Sequence, residues 1–211
     1  MKILYLDTSS SFLYCGLVDD DKIIFEIKKN YGRDLSKYTL YDIEYQFKIN
    51  SVSPKSVDKI ILVNGPGSFT GVRIAITIAK TYAWTLNIPI IKISSLEAMA
   101  ISSSSNTDFI VPILDARRGY VYSAIYDKNM NCKLENQHIS LDLLRSNLEE
   151  YSGNYCFISN DKFDFECENY SPDILKIVKK YKDFPTTLSH LVNANYLKLT
   201  EAEEKNNDRN N

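Results

Sequence analysis

Two aspartates, one glycine-rich string and three arginines are the residues of this 211-residue chain whose types and spacing can support chemistry. The string Gly65-Pro66-Gly67-Ser68-Phe69-Thr70-Gly71-Val72-Arg73 follows the apolar run Ile60-Ile61-Leu62-Val63-Asn64 and opens a long helical pattern. A buried strand running into such a turn, with Ser68 or Thr70 as N-cap and Arg73 in the first helical turn, presents backbone N–H groups at a positive helix end. That geometry suits an anion or a closely approaching backbone. The glycines do not follow the dinucleotide fingerprint, and no Lys follows Gly71 as a phosphate loop of the Walker type requires. Asp7 and Asp115 each end an apolar run. As a pair they are suited to hold Mg²⁺ or orient water; singly, each caps its own turn through its side chain. Arg117 and Arg118 beside Asp115 are suited to grip phosphate or a partner carboxylate, or simply to lie in a solvated turn. Asp7, Thr8, Ser9, Asp115, Arg117 and Arg118 thus form one candidate, a vestigial nucleotide or anion site. The turn Thr8-Ser9-Ser10-Ser11 lacks the glycine that lets backbone wrap a phosphate, and no glycine-rich adenosine loop follows in the second half. Self-capped turns are therefore the favoured reading.

Other chemistries find no residues. The two histidines, His138 and His190, form no metal-binding pair, and neither joins a recognisable nucleophile set. Ser68 lacks the Gly-x-Ser-x-Gly elbow. The four cysteines (Cys15, Cys132, Cys156, Cys167) show no Cys-x-x-Cys spacing. A formal net charge of −2 gives no basic field to attract nucleic acid, so work on an RNA would proceed through a partner. No signal segment and no apolar run of membrane-spanning length is present, which predicts a cytoplasmic protein without a membrane partner. The sequence calls for no cofactor and no metal.

The elements that must position these residues are strands at 2–7, 12–18 and 22–28, a helix at 34–48, a strand at 58–63, a helix at 70–86, a strand at 89–93 and a helix at 95–102. After a polar link, strands at 109–114 and 120–126 follow, then Asn-rich turns, a helix at 140–151, a strand at 155–159 and helices at 172–182 and 186–198. An internal repeat organises them. Aligned on Asp7 and Asp115, both copies resume with an aromatic (Phe12, Tyr120), an aliphatic (Leu13, Val121), a tyrosine (Tyr14, Tyr122) and, later, an aspartate (Asp19, Asp127). Two strand–acid–turn–strand units predict two facing lobes, an arrangement that resembles the actin-like (ribonuclease H-like) superfamily and implies an α/β, two-lobed fold with mixed sheets flanked by helices and a reduced second lobe. The expected division is 1–106, 107–200 and a disordered charged tail at 201–211.

Two helices carry a second message. On 34–48, Leu40, Ile43 and Phe47 share one side, and Tyr38, Tyr41 and Tyr45 nearly the opposite one. A tyrosine stripe is either surface coverage or a protein interface. On 70–86, Ala75, Ala79 and Ala83 form a flat face beside Val72, Ile76 and Leu86, while Arg73, Thr77, Lys80 and Trp84 lie along another side. These faces predict self-association of the free protein.

The glycine string, the opening Ile3-Leu4-Tyr5-Leu6-Asp7-Thr8-Ser9, Ser94-Ser95-Leu96-Glu97, Leu114-Asp115-Ala116-Arg117-Arg118-Gly119 and the closing Tyr196-Leu197-Lys198 together resemble the TsaB (YeaZ) family. The resemblance implies a non-catalytic partner of the related enzyme TsaD in synthesis of threonylcarbamoyladenosine at position 37 of ANN-decoding tRNAs, with the ATPase TsaE joining the pair and tRNA met only through the complex. It implies pairing through the helices at 34–48 and 70–86, as a homodimer alone and a heterodimer with TsaD. The chain departs from the family pattern at Ala75, Leu35-Ser36, Asn193-Ala194, Lys198 and Tyr120. The alternative is a small actin-like ATPase or kinase with Asp7 and Asp115 around Mg-nucleotide.

Overall fold

The computed structural model describes residues 1–198. Two sheets are built on one plan. Strands β1 (Lys2–Asp7), β2 (Phe12–Asp19) and β3 (Lys22–Asn30) form an antiparallel meander, followed by α1 (Leu35–Ile49), β4 (Lys59–Val63), α2 (Phe69–Leu86), β5 (Ile90–Ile93) and α3 (Ser95–Ser102). The plan then repeats as β6 (Phe109–Arg117), β7 (Tyr120–Asp127), β8 (Cys132–Ser140), α4 (Leu141–Glu149), β9 (Tyr155–Ile158) and α5 (Ile174–Tyr181). The first sheet runs β3-β2-β1-β4-β5 and the second β8-β7-β6-β9, each with its fourth strand parallel to its first. Among the described residues the second sheet has four strands to the first sheet's five, so the second lobe is the reduced one.

Period-two alternation sorts the first sheet's apolar run into two faces. Ile3, Tyr5, Ile61, Val63 and Ile93 point into a cluster shared with α3, α5 and the second sheet's Ile110, Ala124 and Tyr126. Leu4, Leu6, Ile60, Leu62 and Ile90 face α1 and α2. Such a sheet, covered on both faces, explains why its central strands read as unbroken apolar runs.

Four expectations need correction. The alanine face of α2 is not a free surface: Ala75, Ala79 and Ala83 are buried in the chain's own core, where small side chains let the helix lie close on the sheet. Leu40 does not join Ile43 and Phe47; the buried stripe of α1 runs Leu35, Thr39, Ile43 and Phe47, and Leu40 is turned outward. The region read as Asn-rich turns contains β8, whose entry turn is knotted by Asp127 accepting from the N–H groups of Asn129 and Asn131. The helix expected at 186–198 does not form. The open edge of β5 demands backbone partners, and Thr187 supplies both, donating to Ile90 O at 2.7 Å and accepting from Ile90 N at 3.1 Å. The chain then makes a short 3-10 turn (Ser189–Leu191) and runs as a strap along α2, burying Val192. Its last described stretch therefore belongs with the first sheet and not, as the division 107–200 has it, with the second. The tail at 201–211 lies outside the described residues.

Candidate functional site: an interlobe cleft and a helical face

Both acid turns and the glycine string meet at one cleft of about 830 Å³ between the two sheets, lined by Ser9–Phe12, Gly67–Gly71, Arg33, Asp115, Arg117, Asn160 and Asp161 among others. The glycines of the string admit the chain's own backbone. A Cβ on Gly67 would stand 2.3 Å from the Ser9 carbonyl oxygen, and one on Gly71 2.0 Å from that of Thr8. Ser68 N–H donates to Ser9 O at 2.7 Å, and the Ser68 hydroxyl caps α2 by accepting from Gly71 N–H at 3.3 Å. The Thr8 hydroxyl donates to Gly71 O at 2.7 Å and accepts from Ala75 N–H at 3.1 Å, bridging one rung of the helix. Of the two occupants this junction suits, the approaching backbone is present. Behind it, Ser95 fastens the loop by donating to Pro66 O at 2.5 Å, and Asn195 N–H donates to Asn64 O at 2.8 Å.

The two aspartates behave alike locally and differently globally. Asp7 accepts from Ser9 N–H at 2.8 Å and Asp115 from Arg117 N–H at 2.7 Å, each capping its own turn. Asp7, however, is sealed: its other oxygen accepts from Tyr5 Oη at 3.4 Å, and Tyr14 and Tyr170 close over the site, bonded through Asn160. Burial pushes its carboxyl above the ordinary range, against the hydrogen bonds from Ser9 and Tyr5. Asp7 does not line the cleft, whereas Asp115 is exposed at its rim. The acid that accompanies Asp115 is Asp161, which accepts from Asp115 N–H at 2.8 Å and whose own carboxyl is raised by burial and by the neighbouring charge. Thr8 and Ser9 are buried, Arg117 lines the cleft in a left-handed conformation (φ 70°), and Arg118 (φ 55°) is exposed and not among the lining residues. Asp161 and Tyr170 escaped the sequence reading. The signal for Asp161 was there: extending the repeat aligns β9 with β4 and the Ser159–Asp161 turn with the glycine string. Tyr170 carries no local signal. Among the described residues no group of three His, Cys, Asp or Glu is placed to hold a metal ion, and no helix is long and apolar enough to cross a membrane.

Away from the cleft, the outer faces of α1 and α2 stay uncovered. Trp84 is 73 % exposed, Tyr41 63 % and Leu40 60 %. Tyr41 and Tyr45 stack on each other at 6.4 Å, while Tyr38 is spent inside the chain, stacked on Tyr31 at 5.1 Å. Arg73 and Thr77 are exposed, and Lys80 donates to Val192 O at 3.2 Å. Leu40, Ile74, Ile78 and Thr77 line a groove of about 520 Å³ between the two helices.

Two lobes of one β-β-β-α-β-α plan facing across a cleft define the two-lobed actin-like class, here with its first acid sealed and its loop filled by backbone. The family model described as TsaD, tRNA N6-adenosine threonylcarbamoyltransferase, matches residues 32–147. TsaB of Bacillus subtilis is 40 % identical over 126 residues, 60 % of this chain and 55 % of that protein. TsaB of Escherichia coli K12 is 30 % identical over 135 residues, 62 % of this chain and 57 % of that protein. The chain thus spans little more than half the length of these curated relatives. Two solved Pseudomonas aeruginosa structures share the fold over 93 % of this chain and 99 % of theirs: one described as similar to peptidase YeaZ (TM-score 0.79, 18 % identity) and YeaZ itself (TM-score 0.70, 17 % identity). The chain belongs to this family, in its TsaB (YeaZ) branch.

Proposed function

We propose that the chain is a non-catalytic subunit in synthesis of threonylcarbamoyladenosine at position 37 of ANN-decoding tRNAs, working in the cytoplasm by pairing with the transferase TsaD. The observation that carries this is the contrast between the two candidate sites. A carboxylate buried under three tyrosines cannot reach a metal or substrate, whereas Leu40, Tyr41, Tyr45 and Trp84 remain uncovered on two adjacent helices. Exposed aromatic side chains gathered on one face are the composition of protein interfaces. The same face, hidden by self-association, makes the free chain a homodimer that gives way to the heterodimer, and the pair recruits the ATPase TsaE. The curated relatives' names tie them to threonylcarbamoyladenosine biosynthesis, which supports the pathway. Sedimentation of Tyr41→Glu and Trp84→Glu, alone and with TsaD, is the test. Loss of both assemblies is expected; intact assemblies in both variants would remove the interface from this face.

A second reading, an ATPase or kinase, draws on the open cleft with Arg33 and Arg117 on its lining. It requires Mg-ATP to bind the purified chain, and calorimetry without heat at millimolar nucleotide would end it.

A further inference from the structure

Arg73, exposed on α2, is held in place by two aromatic side chains. Its guanidinium lies 3.7 Å from the centroid of the Phe69 ring, and its Nε donates to the Tyr196 hydroxyl at 3.0 Å. The rings of Phe69 and Tyr196 stack with centroids 5.7 Å apart. Tyr196 is fixed in turn, because the strap that carries it is fastened beneath by Lys80 to Val192 O, Asn64 Nδ2 to Asn193 O and Asn195 N–H to Asn64 O. Three separate stretches of sequence, the Asn64 turn, α2 and the strap, thus hold one guanidinium at the mouth of the α1–α2 groove. Yet Arg73 joins no ion pair among the described residues. Cation–π contact and a hydrogen bond donated by Nε leave the terminal nitrogens of the fork for another group.

We propose that this groove receives a helix of the partner protein bearing an aliphatic side chain and, about one turn along, a carboxylate that Arg73 grips with both terminal nitrogens. The inference rests on the partner-subunit reading and names what the partner must bring. The groove itself, lined by Leu40, Ile74, Thr77 and Ile78, takes an apolar knob. An apolar groove alone accepts many helices in many registers; a planar, pre-aimed fork beside it fixes the register and selects against partners that lack the acid. Holding the guanidinium before binding also removes most of the ordering cost that a long flexible side chain otherwise opposes to association. A second copy of this chain is the competing occupant, since Glu44 is exposed on α1 between Tyr41 and Tyr45.

The experiment measures association of the purified full chain with purified TsaD across a sodium chloride series, for wild type, Arg73→Met, Arg73→Lys, Tyr196→Phe and Trp84→Glu. Arg73→Met is expected to weaken binding roughly tenfold or more at low salt and to flatten the salt dependence. Arg73→Lys should restore the salt slope but not the affinity, because an ammonium cannot make the paired contact. Tyr196→Phe keeps the stack, loses the aim and should fall between them with an unchanged melting temperature. Unchanged affinity and salt slope in Arg73→Met, with Trp84→Glu still abolishing the complex, would overturn this inference and leave the partner reading standing. Absence of any complex with the wild-type chain would overturn the partner reading itself. If Arg73→Met and Glu44→Gln weaken only self-association, the occupant is a second copy and the proposal is wrong.

Discussion

Among the glycines, Gly71 is where an added Cβ would meet another stretch of backbone most closely, and replacing it with alanine separates two accounts of the glycine string. The added Cβ would stand 2.0 Å from the Thr8 carbonyl oxygen, so the β1–β2 turn must retreat from α2 by more than an ångström to reach an ordinary contact. That retreat breaks the bond from Thr8 to Gly71 O (2.7 Å), the bond from Ala75 N–H to Thr8 (3.1 Å) and the bond from Ser68 N–H to Ser9 O (2.7 Å). At about 1 kcal/mol for each bond and about 1–3 kcal/mol for the overpacking, the loss is roughly 5 kcal/mol, which alanine's better helix propensity offsets by only about 1 kcal/mol. A net destabilisation of about 4 kcal/mol is a large fraction of a domain's stability. Urea unfolding of Gly71→Ala against Gly119→Ala is the measurement. Gly119 has φ +78° and open space where a Cβ would stand, with nothing within 4 Å, so its substitution carries only the left-handed backbone penalty, about 1–2 kcal/mol. If Gly71→Ala unfolds no earlier than Gly119→Ala, the string is not a clasp for the neighbouring turn, and its glycines exist for a ligand instead.

Three further outcomes follow from particular residues. Asp7→Asn should raise the melting temperature near neutral pH. The folded pKa of Asp7 lies above the unfolded 3.8, so its ionisation withdraws stability as pH rises from that value past the folded one; the advantage of Asn should vanish toward pH 4. The same variant should still support tRNA modification in the reconstituted complex, an outcome an Mg-nucleotide role for Asp7 forbids. Glu168 has the opposite sign: burial pushes its carboxyl up, but bonds from Ser103 (2.5 Å) and from Ser104 N–H and Oγ (both 2.8 Å) outweigh this and hold it below 4.5. Its contribution is present above pH 4.5 and lost as pH falls through the folded value, so Glu168→Gln should be less stable than wild type at pH 7 and converge with it in acid. Ala79→Glu should destabilise the chain by about 3–5 kcal/mol, the scale of an uncompensated buried charge, while Thr77→Glu, two residues away on the exposed side, should leave circular dichroism and melting unchanged.

What could be read from the sequence and what could not divides along a physical line. The first sheet was legible because its central strands are apolar on both faces, and the acid turns of both lobes because they carry their own chemistry, as Asp7 in the first and Asp115 in the second each bond the N–H two residues on. The repeat told that there are two such lobes, and the reduced second one followed from the few strand patterns after Asp127. What escaped depends on closure in space. The alanines of α2 read equally well as a face for a partner or for the chain's own sheet, since both want small side chains; only the position of β4 decides, and it decides for the sheet. The strap at 187–196 reads as a helix because its residues tolerate one, but an unpaired strand edge at β5 offers two backbone hydrogen bonds that a helix there would forgo. Tyr170, far from Asp7 in sequence, closes the first acid's surroundings without any local signature. The two acid turns, alike in their local bonds, therefore differ in exposure for a reason that lies in a distant segment: Tyr170 meets Tyr5 over Asp7, which is buried, whereas Asp115 stays exposed at the cleft rim.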